Sequence, residues 1–334
     1  MKTLLAITRD TLIMLRRRRL FWLHLWLSVL VVLLYASVSF NDAGWSVGFG
    51  LKRMDNPALK HGTPWEHTMH CWIIARLMRW WIAGGAIFLA LFASAAILPE
   101  TLEPGSAALI VPRARRRSLI LAGRFLGSLG YALLHTIVVV AGLWLVLRWK
   151  MGVWHHALWL GVPLAALLFI PLQAVAMLMG VLTRSATAAL LVAILFAGSV
   201  WALQEAAAPD IDSETAVAAP DDENGGGINE TLTGDLVQNA VLVLPHSRDS
   251  LLWLEREACP LPDKDKYGYR ALFRRLRVGH SGLSAVLADG IAAVSAPAKK
   301  QEAPITFPPL VYSSVGFTAV ILLMAAWLLK RRDL

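Results

Sequence analysis

Residues 157–204 read ALWLGVPLAALLFIPLQAVAMLMGVLTRSATAALLVAILFAGSVWALQ, and Arg184 is the one formally charged side chain among them. A helix crosses the hydrocarbon core of a bilayer with about 20 apolar residues. The stretch holds two such helices, 157–182 and 186–204, with Thr183, Arg184 and Ser185 left to turn the chain. A surface helix of a soluble protein would carry a polar stripe, and neither half has one. Two spans joined by three residues place this chain in a membrane.

Four further windows share that character: 20–40, 80–98 (with a start as early as Trp72), 119–147 and 310–329. Composition agrees. Apolar residues make up 57 % and charged residues 16 %, against roughly 45–50 % and about 25 % in soluble proteins. Mean hydropathy is +0.56. These values exclude a disordered or collagen-like chain, and two cysteines, Cys71 and Cys259, exclude a disulfide scaffold. The first apolar run exceeds the roughly 7–15 residues of a signal-peptide core, and no Ala-x-Ala-like site follows it, so it reads as a span.

Lys and Arg in short flanking segments set orientation. Six precede span 1 (Lys2, Arg9 and Arg16 to Arg19), and five lie between spans 2 and 3 (Arg113, Arg115, Arg116, Arg117 and Arg124). Arg184 separates spans 4 and 5, and Lys330, Arg331 and Arg332 follow span 6. These segments hold 15 basic and four acidic residues, so both termini are expected in the cytoplasm. The net charge of +9 is then accounted for by topology, and nucleic acid is not an expected partner. Segments 41–79, 148–156 and 205–309 fall outside. The last has 16 acidic and 10 basic residues. Its first part, 205–231, is acidic and rich in Ala, Pro and Gly, and reads as a linker. Leu251, Leu252, Trp253 and Leu254 predict a short amphipathic helix. Residues 267–294, with Arg270, Arg274, Arg275 and Arg277, suit a helix at the membrane surface or in a small outer domain.

No phosphate-binding Gly-x-x-x-x-Gly-Lys-Ser/Thr loop, His-Glu-x-x-His, Gly-x-Ser-x-Gly or Cys-x-x-Cys occurs. The chain is not expected to be an enzyme. The informative stretch is 97–127, ILPETLEPGSAALIVPRARRRSLILAGRFLG. Pro99 is expected to end the second span. Glu100, Glu103, Pro104 and Gly105 make a polar break, Ser106–Val111 a short amphipathic helix, and Pro112 its stop. Basic residues then lead to Gly123, Arg124 and Gly127 at the entry of span 3.

That order of features resembles the cytoplasmic loop of ABC transporter permeases of the type-2 exporter class. Glu100, Glu103, Gly105, Leu109, Pro112, Arg117, Gly123, Arg124 and Gly127 fall on the pattern. The resemblance implies that a helix near 103–112, within a loop of 99–118, is the coupling helix that docks on a separate ATPase subunit. ATP and Mg would be bound on that ATPase and no cofactor on this chain. It also implies a second permease subunit, identical or different. Residues 1–19, with apolar positions Leu4, Leu5, Ile7, Leu12, Ile13 and Leu15 before the four Arg, are similar to the family's interfacial N-terminal helix. Residues 240–254, AVLVLPHSRDSLLWL, are similar to its Leu-Pro-His segment before the last span. The outer region of about 105 residues departs from the family plan, which has a shorter one.

Polar residues inside spans are functional candidates. His135 and Gln173 are the candidates for a translocation path, and His24 lies near the inner end of span 1. Pro163 and Pro171 are expected to kink span 4. Arg76 and Arg79 are expected to snorkel to the interface. No metal is assigned. Within the outer group of His61, His67, His70, Cys71, His155 and His156, the residues that would hold one are His67, His70 and Cys71, with thiol and imidazole suiting copper or zinc. A Cys71–Cys259 disulfide is allowed, because both fall outside.

The sequence thus reads as an all-α integral membrane protein of the inner (plasma) membrane. It has six transmembrane helices, an interfacial helix over 1–19, a coupling helix, a large extracytoplasmic loop at 205–309, and a last span with a cytoplasmic tail at 310–334. The function implied is the permease subunit of an ATP-driven exporter. The alternative is a polytopic anchor, assembly or sensory component that binds a partner through 205–309 without transport.

Overall fold

The computed structural model describes residues 2–55, 61–102, 117–206, 244–245, 250–251, 253–254, 257 and 307–331. Helix α1 (Lys2–Arg17) is amphipathic. Arg18 is extended and breaks it from α2 (Arg19–Ala36). Three short strands follow, β1 (Ser39–Asn41), β2 (Gly44–Val47) and β3 (Lys52–Asp55). Next come α3 (Pro64–Trp80), a π-helical turn (Trp81–Ala86), α4 (Ile87–Ser94) and α5 (Ile97–Thr101). Helix α6 (Arg117–Met151), a 3-10 turn (His156–Leu160), α7 (Gly161–Thr183), α8 (Ala186–Ala206) and α9 (Phe307–Arg331) complete the elements of the described residues.

Among the described residues, six helical runs are long and apolar enough to span a membrane: 19–36, 65–101, 118–151, 156–183, 186–204 and 311–331. The chain is a multi-pass helical membrane protein. Span 4 is the hub. Its apolar window is 78 % buried, against 17 % for spans 1, 5 and 6. Helix α7 is apolar all round, and such a helix is stable only when enclosed. It packs against α6, α8 and α9. Small residues allow the closest approaches: a side chain at Gly180 would meet Pro99 at 3.2 Å.

The strands form an antiparallel meander, β1-β2-β3, with Ser39 opposite Ser46 and Trp45 opposite Met54. This sheet is an addition to the all-α expectation. Turns at positive φ make it possible, at Gly44, Gly48, Phe49 and Gly50. Val38 and Phe40 bury against Met69, beside Trp45, Trp65 and Trp72. The sheet therefore closes the end of the bundle opposite to α1.

Two proline expectations are corrected. Pro99 does not end span 2; it lies inside α5, and the turn falls earlier, at Ala95 and Ala96. A proline supplies no N–H to the carbonyl four residues back but fits a helix's first turn, so the break precedes it. Pro163 is the third residue of α7 and sits in that first turn for the same reason, leaving Pro171 as the interior proline. Arg184 makes the turn between spans 4 and 5 with a left-handed backbone, φ 54°, and Ser185 Oγ accepts from the Ala188 N–H at 3.3 Å to start α8.

Candidate functional site at the basic end of the bundle

Helix α1 lies along the start of α6. Two glycines create the seat. A side chain at Gly123 would come within 2.6 Å of Ile7 Cγ2, and one at Gly127 would overlap Thr11. Thr11 and Leu15 are buried there. Arg124, between the glycines, is 2 % exposed and donates through Nη1 to Asp10 Oδ2 at 2.9 Å and Thr11 Oγ1 at 3.1 Å. Its Nε is buried without a hydrogen-bond partner. Burying a guanidinium is costly unless it is paired, so Asp10 and α1 are what let Arg124 occupy this place.

A second pair ties α1 to the exit of span 2. Arg18 donates through Nη2 to Glu100 Oε2, and its Nη1 reaches the Ala93 carbonyl at 3.3 Å. Arg16, Arg17 and Arg19 are exposed, so Arg18 alone of the run turns inward. Leu98 and Leu102 pack with Leu121 and Phe125 of α6, Met177 and Val181 of α7, and Ala325 and Leu329 of α9. The two flanks of segment 103–116 and the N-terminal helix are therefore one packed unit.

Of the expected coupling residues, Glu100 is in this unit and Arg117 opens α6. Glu103, Gly105, Leu109 and Pro112 lie outside the described residues. Arg18 and Asp10 were missed as site residues. Charge runs read as headgroup anchors, and only the pairing of Gly123, Arg124 and Gly127 hinted at a docked helix.

His135 and Gln173 are both fully buried, each among its own partners. His135 stacks on His24, with ring centroids 3.9 Å apart, and its Nδ1 is 3.0 Å from the Tyr131 carbonyl. His24 Nδ1 is 3.2 Å from the Tyr131 hydroxyl. Gln173 Oε1 accepts from Ser94 Oγ at 2.8 Å, while its Nε2 is buried without a partner. Both side chains join spans: His135 links span 3 to span 1, and Gln173 links span 4 to span 2.

At the opposite end, ligating atoms of His67, Cys71 and His155 lie within 4.8 Å of one another. Burial and the neighbouring His156 hold the His155 imidazole below its usual range, hence neutral. Cys71 is fully buried and disulfide-bonded, so its sulfur is not a thiolate. Cys259, the other cysteine of the sequence, lies outside the described residues. His70 is not part of this group. It is buried, 3.0 Å from the Tyr35 hydroxyl and 3.9 Å from Glu66. Glu66 sits at the head of α3, where Thr63 caps its N–H, and it also meets His61 at 3.1 Å.

The outer region returns to the bundle at described points. Gln204 donates to the Pro245 carbonyl at 2.6 Å. Residues 250, 251, 253 and 254 are helical as expected, with Leu251 and Leu254 buried in the main core.

Fold and site define a class: a multi-pass helical membrane protein, with six candidate spans among the described residues, whose N-terminal amphipathic helix is locked to both flanks of the loop between the second and third of them. No family model matches the chain, and no curated protein matches it.

Proposed function

We propose that this chain is the membrane-spanning permease subunit of an ATP-driven exporter of the ABC type-2 class, coupled to a separate ATPase through the loop 99–118. The observation that carries this reading is the paired anchoring of α1, by Arg18 to Glu100 on one flank of the loop and by Asp10 to Arg124 on the other. A force applied to the loop by a docked partner reaches spans 2 and 3 together, because both ends and α1 are packed as one body. ATP and Mg belong to the ATPase chain. A second permease subunit, identical or different, would complete the path.

The orientation places both termini in the cytoplasm and the protein in the inner (plasma) membrane. The positive-inside distribution supports it. So does the Cys71 disulfide at the opposite end, since such bonds persist in oxidising compartments. The test is affinity co-purification in mild detergent with a Glu103→Arg variant alongside. Recovery of an ATPase with the parent chain and its loss with the variant is the expected result. Recovery of none with an intact parent chain overturns the reading in favour of an anchor that works through 205–309.

A further inference from the structure

Helix α6 is pressed against α1 and span 1 along one seam. At one end Gly127 takes Thr11, and further along Gly142 takes Val32 of α2. Between these two points His24 of α2 and Tyr131 and His135 of α6 are buried together. Ionisable side chains inside a bilayer are costly, and are functional candidates for that reason.

The partners of His135 are both acceptors. Its Nδ1 is 3.0 Å from the Tyr131 carbonyl, and its Nε2 is 3.4 Å from the Phe21 carbonyl. A carbonyl oxygen only accepts, and a neutral imidazole carries one N–H and one lone pair. A neutral His135 therefore donates to one carbonyl and turns a lone pair on the other. The doubly protonated ring donates to both. Each carbonyl has two lone pairs, so a helix bond still leaves one for the histidine.

The surroundings hold room for one charge. His24 stacks on His135 with ring centroids 3.9 Å apart and planes 13° apart. Two like charges at that separation in a low dielectric repel strongly. His24 Nδ1 faces the Tyr131 hydroxyl at 3.2 Å, while its Nε2 is buried without a hydrogen-bond partner. As a cation, His24 would keep an N–H with no acceptor, so the proton belongs on His135. The rings of Tyr131 and Phe21, 4.5 and 5.1 Å from that of His135, lie within the range over which aromatic rings hold cations, about 6 Å. The titratable groups facing the pair are His24 itself from α2 and Tyr131 from α6. Span 2 presents Trp81, 6.0 Å from His24, and α1 adds Leu15 to the same core. No carboxylate, lysine or arginine meets either ring among the described residues.

We propose that His135 is a proton-binding site at the seam of spans 1 and 3, holding one proton as an imidazolium against a neutral His24. The proton comes from water and bonds to the remaining lone pair of the ring, and no other bond of the protein breaks. One acceptor carbonyl belongs to span 1 and the other to span 3. Spans held together keep both acceptors in place. Spans that part leave the buried charge with one, and the proton is released. As a coupling step of transport, this site rests on the exporter reading; as a proton site, it does not.

The experiment uses the full chain in neutral lipid, without an ATPase, so its outcome is independent of that reading. Histidine nitrogens and tyrosine carbonyls are isotope-labelled, and His135 is recognised in solid-state NMR by its contact with the Tyr131 carbonyl. Nitrogen shifts separate the imidazolium from the two neutral tautomers, and are followed over the pH range in which the chain stays folded. His135 is expected to pass from neutral to imidazolium in a single step as pH falls. His135→Gln is expected to lose that signal entirely. His24→Phe keeps a neutral ring in the stack and should retain it, whereas His24→Lys places a fixed charge there and should abolish it. Tyr131→Phe removes the hydroxyl but not the carbonyl, and should leave the step in place. A His135 ring that stays neutral throughout, or charged throughout, overturns the proposal. So does a step that vanishes in His24→Phe, since the proton then resides on His24. Gel filtration checks each variant, and the parent chain and His24→Phe decide the matter even where His24→Lys does not fold.

Discussion

Arg124 and Asp10 are 114 residues apart in sequence and 2.9 Å apart in space. The arginine is buried and the aspartate is 58 % exposed, so the pair is a charge sunk into the bundle and held by a partner at its rim. Removing the rim partner leaves the inner charge uncompensated. Asp10→Ala is expected to lower stability by about 2 kcal/mol, below the range for fully buried pairs because Asp10 is partly solvated. Arg124→Met removes the buried charge itself and should be milder. A thermal melt in detergent checks the order, and equal losses for the two would refute it.

The glycine seat makes a separate prediction. Gly127→Leu forces α1 away from α6, because the new side chain overlaps Thr11. Overpacking of this kind costs about 1–3 kcal/mol. Its distinguishing sign is local: protease cleavage within residues 2–17 should accelerate while the spans stay protected.

Ser94 and Gln173 make an asymmetric pair. Ser94→Ala removes the partner of Gln173 Oε1 and leaves both ends of that buried amide unpaired. A loss of about 1–2 kcal/mol is expected. Gln173→Leu fills a similar volume and removes the unsatisfied Nε2, so its effect should stay within about 1 kcal/mol. A larger loss for Gln173→Leu than for Ser94→Ala would mean that the amide has a role beyond joining spans 2 and 4.

The Cys71 disulfide is expected to contribute about 2–5 kcal/mol. Since the sequence has one other cysteine, Cys71→Ser and Cys259→Ser should lower the melting temperature equally, and the double variant no further. Unequal shifts would show that one cysteine has a second role. Zinc should raise the melting temperature only after reduction, because His67 and His155 lack a thiolate while Cys71 is bonded.

His155 gives a pH dependence. Its pKa is lowered in the fold by burial and by His156, so the unfolded chain binds the extra proton. That contribution to stability is present above the ordinary imidazole pKa of about 6.5 and is lost as pH falls through the lower folded value. His155→Gln should flatten the acid side of the melting profile; an unchanged profile would remove His155 from the account.

The six spans were legible because length and hydropathy are local properties, and each window could be judged alone. The meander over Ser39–Asp55 was not, since its strands have three or four residues and depend on left-handed turns and on Met69 and the tryptophans beyond. Pro99 is ambiguous in the sequence because a proline that stops one helix also suits the opening of the next. Arg18 and Asp10 read correctly as basic and acidic members of one flank, but their partners are 82 and 114 residues away. Arg76 and Arg79 read as interfacial anchors, and nothing in a linear window says that span 5 leaves a space beside them.

The bond at Cys71 also changes the connectivity of the molecule. The sequence has one other cysteine, Cys259; a bond between it and Cys71 would put spans 2 to 5 inside a covalent ring, with spans 1 and 6 as its two tails. A single cut by a protease between 207 and 243 would not separate the halves. They would migrate as one band until a reductant was added, and the transmembrane bundle would keep its cross-link until then.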